Sequence, residues 1–192
     1  MKFVLALLLV PFLAVSQENY PQDVFQSPLA IPLDISGSFA ELRSNHFHSG
    51  LDFKTSGVEG LTVFATGDGY VSRIKISPFG YGKAIYITHP NGYTSVYGHL
   101  QKANGAIQEL IKKKQYQEQS FEVEMYLYPT ELPVKKGDII AFSGNTGGSG
   151  APHLHFEFRD TKSEQIINPM HFGFKKMIKD ERKPIIQGIV VY

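Results

Sequence analysis

Five side chains in three short stretches have the types and spacing of a metal centre. His153 and His155 lie in G-A-P-H-L-H-F-E-F. Residues two apart on a strand share a face, so both imidazoles project one way while Leu154, Phe156 and Phe158 form an apolar face on the other. Paired histidines on a strand have little use in packing. They suit a divalent metal, or one ligand beside one base. His48 and Asp52 are four apart in H-S-G-L-D, which places both on one face of a helix or of a strand, and Gly50 between them argues against the helix. Imidazole and carboxylate are both zinc ligands. Two nitrogens and one carboxylate, with a fourth position left for water, make the open pattern of a catalytic zinc rather than the closed pattern of a structural one. His99 follows Tyr97-Gly98 at the end of a β-type run. The chain has no Cys, which excludes thiolate catalysis, Cys-based zinc sites, iron–sulfur ligation and a disulfide scaffold.

The elements that must hold these groups read as short strands. β-type runs occur at 61–65, 69–76, 83–88, 93–97, 138–142 and 153–158, with a strand and turn in 34–43. In the run at 69–76, Val71 is out of phase with Ile74 and Ile76, which predicts a bulge. Asn91-Gly92 between two β-rich runs predicts a hairpin. One stretch differs. Residues 103–119 carry Ile107, Leu110 and Ile111 at helical spacing, and 121–128 then alternates as a half-exposed strand, so 102–132 reads as a helix–strand excursion. Lys112, Lys113 and Lys114 read as the solvated face of that helix. The 192 residues, 42% hydrophobic and 19% charged, suffice for one packed domain and argue against wholesale disorder. Eighteen Gly and 12% aromatic residues suit a turn-rich β protein. A net charge of +1 excludes a protein built to neutralise nucleic-acid phosphates.

The ends read differently from the middle. Lys2, an apolar run over 3–15 broken once by Pro11, and the small residues Ala14 and Ser16 form a signal-peptide pattern over 1–16. The run is shorter than the roughly 20 apolar residues a membrane span needs, and no other segment qualifies, so the mature chain is expected to be exported without a membrane span. Residues 17–34, punctuated by Pro21, Pro28 and Pro32, read as an extended arm. Residues 174–182 are basic and mixed and read as a connector. The apolar run 185–192 reads as a strand that needs a partner sheet, so 171–192 is a tail that either starts a further domain or returns to pair with an edge of the β domain.

Taken in order, His48-x-x-x-Asp52, Tyr97-Gly98-His99-Leu100 and Gly150-Ala151-Pro152-His153-Leu154-His155-Phe156-Glu157 resemble the three motifs of the lysostaphin-type (LytM-like) zinc endopeptidases, which are peptidoglycan hydrolases. G-L-D-F-K after the first His, A-T-G-D-G-Y-V at 65–71, G-Y-G at 80–82, V-K-K-G-D at 134–138 and Ile167-Asn168-Pro169 match as well, so the resemblance covers about residues 35–170. It implies a mainly β fold: an antiparallel two-sheet β sandwich with a central groove (a duplicated hybrid motif) and one helical insertion. It implies Zn2+ held by His48, Asp52 and His155, with His99 and His153 lining the cleft without binding the metal. On that reading His153 is the general base and His99 the donor to the oxyanion or the leaving amine. It implies peptidoglycan stem peptides and cross-bridges as partners, and work in the periplasm, the cell envelope or outside the cell. The Tyr that some members carry shortly before the first ligand is missing from 39–47, and Asn45 is a weak substitute. Asn19 is not assigned the inhibitory ligand role that an N-terminal Asn has in some members.

Other polar residues have plainer readings. Glu157 shares a strand face with both histidines and is either a partner to the centre or an exposed strand carboxylate. His46 reads as a surface or groove residue, His89 as structural beside its turn, and His171 has no partner motif. The glycine-rich run 144–150 lacks the Lys-Ser/Thr ending and following helix of a phosphate loop, and reads as a flexible wall of a peptide cleft. A non-catalytic relative that binds the wall or activates another hydrolase is the alternative; such relatives lack metal ligands, and here every motif position is filled. A biotinyl-carrier-like module needs a modifiable Lys at its hairpin tip and no histidine cluster.

Overall fold

The computed structural model describes residues 19–179. The signal peptide expected over 1–16 and the apolar run 185–192 lie outside the described residues. Among the described residues no helix is long and apolar enough to cross a membrane.

The alternating runs form two antiparallel sheets. In the larger, β4 (Gly69–Ile76), β5 (Lys83–Thr88) and β6 (Tyr93–Gly98) make a meander. Gly92, at φ 86°, lets the turn after β5 close, and His89 N–H donates to the Tyr93 carbonyl across it. The bulge expected in β4 falls between Val71 and Arg73, and it returns Val71, Ile74 and Ile76 to the buried face. β11 (His153–Asp160) lies between β6 and β2 (Leu51–Lys54). β1 (Ile35–Gly37) closes one edge on β2, and β8 (Val123–Tyr126) pairs with β4 at the other end. The two-residue strands β9 (Pro133–Val134) and β12 (Ile166–Ile167) add to β4 and β11. The smaller sheet orders β3 (Thr62–Phe64), β10 (Ile139–Phe142) and β7 (Lys102–Ala103). One apolar core joins both sheets and includes Leu154, Phe156 and Phe158, the face of β11 opposite its histidines.

The helix expected in 103–119 is α1 (Gly105–Glu118). Its two buried residues, Ile107 and Ile111, are one turn apart and join the common core. The stretch 102–132 is less detached than an excursion, because Lys102 and Ala103 pair with Phe142 and Ala141 at its start and β8 completes the larger sheet near its end.

The stretches on either side of 35–170 pack against it. The arm has no long strand or helix, yet Phe25, Leu29 and Leu33 are buried in the core. After Asn168-Pro169 the chain makes two short 3-10 turns that bury Phe172 and Phe174 completely. Phe174 stacks on Phe156 at 5.0 Å between ring centroids, and Phe172 meets Phe158 at 4.3 Å. These are the core-facing rings of the strand that carries His153 and His155, and the aromatic area they remove from water is why the chain does not leave the domain at Pro169. Phe174→Ala is therefore expected to destabilise the chain by about 3–5 kcal/mol, the range for truncating a fully buried Phe. Urea denaturation of the full chain measures it, and a loss below about 1 kcal/mol would mean that Phe174 does not anchor this stretch to the core.

Candidate active site

The pairing of β11 with β2 sets the site. His155 is directly opposite Asp52, and both lie on the face of the larger sheet away from the core. His48, in the loop just before β2, swings its ring over the same point. The three converge: His48 Nε2 is 3.0 Å from Asp52 Oδ1 and 3.0 Å from His155 Nδ1, and His155 Nδ1 is 2.9 Å from Asp52 Oδ1. All three residues are buried.

The remaining polar atom of each is already committed. His48 Nδ1 donates to the Ser38 carbonyl at 2.8 Å. Arg43 Nη2 donates to Asp52 Oδ2 at 2.8 Å. His155 Nε2 meets Glu157 Oε1 at 2.8 Å. Three ligand-type atoms within 3.0 Å of one another and out of water need a proton or a cation among them. A nitrogen, nitrogen and carboxylate-oxygen set with anchored outer atoms fits a divalent metal. Gly37, opposite Asp52 on β1, makes room: a Cβ there would lie 2.3 Å from Asp52 Oδ2 and 2.4 Å from Arg43 Nη2.

Two further histidines adjoin this cluster. His153 Nε2 is 3.3 Å from Asp52 Oδ1, and its Nδ1 meets the Ala151 carbonyl at 2.8 Å. His99 adopts φ 57°, a left-handed conformation a non-glycine residue holds only when its surroundings demand it. Its N–H donates to the Tyr81 carbonyl and its Nδ1 donates to the Thr146 carbonyl at 2.7 Å. The rings of His99 and His153 are 4.7 Å apart. All five residues singled out by sequence are thus brought together.

The electrostatics are those of a compensated buried anion. Burial alone would raise the Asp52 carboxyl, but hydrogen bonds from His153, His155 and His48 hold it far below the usual carboxylate range. Burial likewise disfavours a charged His155, yet Asp52 and Glu157 on its two nitrogens push it up to about 9. Burial pushes His99 down to about 4, against the opposing pull of the Thr146 carbonyl, so that ring is neutral at physiological pH.

The other sequence readings sort cleanly. Glu157 is no exposed strand carboxylate: it is fully buried and binds His155, Tyr81, Ser49 and Arg159. His46 is exposed beside Asn45, whose side-chain carbonyl accepts from it at 2.6 Å. His89 is buried and bound to the Asp68 carbonyl and Ser95 Oγ, a structural role. His171 stacks on Tyr20 at 5.3 Å. The glycine-rich loop is pinned rather than loose: Gly148 N–H donates to the Gly80 carbonyl, and Thr146 Oγ1 accepts from Lys83 N–H and donates to the Leu100 carbonyl. Sequence reasoning missed Arg43, Tyr81 and Ser49. Tyr81 was visible only as the middle of G-Y-G, and Arg43 has no spacing signal because a loop delivers it.

A family model for peptidase family M23 matches residues 46–119 and 112–169. An "uncharacterized metalloprotease" of Haemophilus influenzae is 35% identical over 123 residues, which cover 64% of this chain and 20% of that protein. The peptidoglycan DD-endopeptidase ShyB of Vibrio cholerae is 36% identical over 110 residues, 57% of this chain and 20% of its own. The chain thus spans about a fifth of the length of these curated relatives. Among solved structures, the catalytic domain of the antimicrobial peptidase lysostaphin from Staphylococcus simulans superposes with a TM-score of 0.50 at 28% identity, covering 72% of this chain and 87% of that domain.

The raised His155 gives a pH prediction. Below about 9 its Nδ1 carries a proton that a metal must displace, so metal affinity is expected to fall about tenfold per unit as pH drops from that value. Zinc titrations of the full chain against a competing chelator at about pH 6, 7 and 8 check this, with proton release read from calorimetry in buffers of different ionisation enthalpy. A pH-independent affinity would contradict it.

Proposed function

The chain belongs to peptidase family M23, and from that premise we propose that it is a zinc-dependent endopeptidase that hydrolyses the peptide cross-links of bacterial peptidoglycan. One observation carries the reading. His48 Nε2 and Asp52 Oδ1, from β2 and the loop that enters it, converge with His155 Nδ1 of β11, and every outer polar atom is anchored. These three residues would hold the ion. When bound, zinc supplies Lewis acidity, polarising a carbonyl and making water acidic enough to lose a proton near neutral pH.

The two other histidines would move that proton. His99 has spent its Nδ1 proton on Thr146 and is neutral, so its Nε2 can only accept. It would take the proton from the attacking water and, once charged, pass it to the leaving amine. His153 Nδ1 likewise meets a backbone carbonyl, that of Ala151, so a neutral His153 also presents an accepting Nε2 and suits the same task. Both histidines, His153 as expected from sequence and His99 beside it, thus suit the role of base, and each becomes a donor to the oxyanion or the leaving amine once charged. The substrate class comes from the relatives that are peptidoglycan DD-endopeptidases. Such a substrate places the work outside the cytoplasmic membrane, in keeping with a signal peptide over 1–16.

Purified peptidoglycan fragments digested by the full chain, with products read by mass spectrometry, test the activity. New products that disappear with a chelator and return with zinc are expected; identical digests with and without chelator would sink the reading. His99→Ala and His153→Ala should each bind zinc like the unmodified chain yet lose about 10²–10⁴-fold in kcat, the usual worth of a proton-transfer or oxyanion group. A large loss of zinc from either variant would make that residue a ligand.

A further inference from the structure

The two histidines of the cluster use different nitrogens: His48 turns Nε2 inward, whereas His155 turns Nδ1. For His48 the Ser38 carbonyl accounts for the choice. For His155 the geometry of β11 does. Asp52 is directly across the ladder and has a short side chain, so it reaches the near ring nitrogen, Nδ1. Glu157 is two residues along the same face with one more methylene, so it reaches the far nitrogen, Nε2. Turning the ring over about Cβ–Cγ would put carbon where each nitrogen now sits and break both contacts.

Glu157 cannot follow such a turn. Its Oε1 accepts from Ser49 Oγ and Tyr81 OH as well as from His155. Its Oε2 accepts from Arg159 through Nε and Nη2, both at 2.7 Å. Five donors use the full acceptor capacity of a carboxylate, about four lone-pair sites with sharing. An amide has no such capacity, since its NH2 would face either Arg159 or the His155 side. The Tyr81 ring stacks on the His155 ring at 4.9 Å and 20°, closing the space into which the imidazole would rotate.

We propose that Glu157 is the positioning residue of the centre: braced by Tyr81, Ser49 and Arg159, it holds the Nε2–H of His155 and so commits Nδ1 to the metal. The proposal rests on the reading of His155 as a ligand. Its role is orientation, because Glu157 lies behind the ring, on the far side from the cluster.

The test uses the full chain with Glu157→Ala and Glu157→Gln. Long-range proton–nitrogen NMR reads which nitrogen of His155 binds zinc, and competition with a chelating dye reads the affinity. The wild-type chain is expected to bind through Nδ1. Both variants are expected to lose about 10–100-fold in zinc affinity, the usual worth of an outer partner to a ligating histidine, and to lose the single Nδ1-bound signature. A folded variant with wild-type affinity and an unchanged signature overturns the proposal, even if its melting temperature falls. If both variants fail to fold, Tyr81→Phe and Ser49→Ala remove two braces and leave Glu157 in place; each is then expected to weaken zinc binding by about threefold or more, and unchanged affinity in both overturns the proposal. A wild-type chain that binds no zinc instead sinks the peptidase reading. The Nε2–H signal of His155 in the metal-free wild type then still shows whether Glu157 grips the ring, and its absence overturns the grip.

Discussion

A carboxylate buried on β2 is the constraint around which the molecule is arranged. Asp52 is 6% exposed, and a buried carboxylate without partners is expensive enough that it would give up its charge. It keeps the charge because one oxygen gathers His48, His155 and His153 while the other takes Arg43. Those partners arrive from two pieces of chain, Arg43 and His48 from the loop before β2 and His153 and His155 from β11. Placing Asp52 therefore dictates the register of β11, the path of the 38–48 loop and the side on which Arg43 returns. Gly37 is part of the same constraint, since any side chain there would occupy the space of the Asp52–Arg43 pair.

A second ring of contacts keeps the first from rearranging. Ser38, Arg43, Glu157, Thr146 and Ala151 each hold an atom that faces away from the cluster or from the pocket beside it. Three of these are backbone carbonyls or their loops, which explains why the 144–150 loop is tied to residues 80–83 and 100 instead of hanging free. Fixing tautomers in this way lowers the reorganisation needed when substrate arrives, which is how a site of this kind gains rate. The left-handed His99 fits the same logic, because its strained backbone is held by bonds on both sides of the residue.

Below the sheet the support is aromatic. Phe25 from the arm and Phe172 and Phe174 from beyond the last motif pack against Phe156 and Phe158. Every second residue of β11 is thus gripped from the core while the alternate residues form the site. The arm and the short turns after Pro169 act as parts of the domain, although neither contains a long regular element.

The sequence by itself determined the chemistry and most of the strands. Alternation put His153 and His155 on one face and Leu154, Phe156 and Phe158 on the other, and strand period 2 leaves no other outcome once a core exists. The phase slip at Val71 and the Asn91-Gly92 turn were equally legible, because each reflects local backbone chemistry. What the tertiary structure alone decided depends on register and on loops. That His155 faces Asp52 rests on a ladder between segments about a hundred residues apart, and no local rule fixes that pairing. Arg43, Ser49 and Tyr81 reach the site from irregular chain, where spacing carries no directional information. Glu157 was ambiguous for the same reason: alternation told which face it shares, but whether that face is open to water at that point depends on Tyr81 and Arg159 closing over it. The burial of Phe25, Phe172 and Phe174 was not legible because motifs mark chemistry, whereas packing follows apolar area, and these rings lie outside every motif.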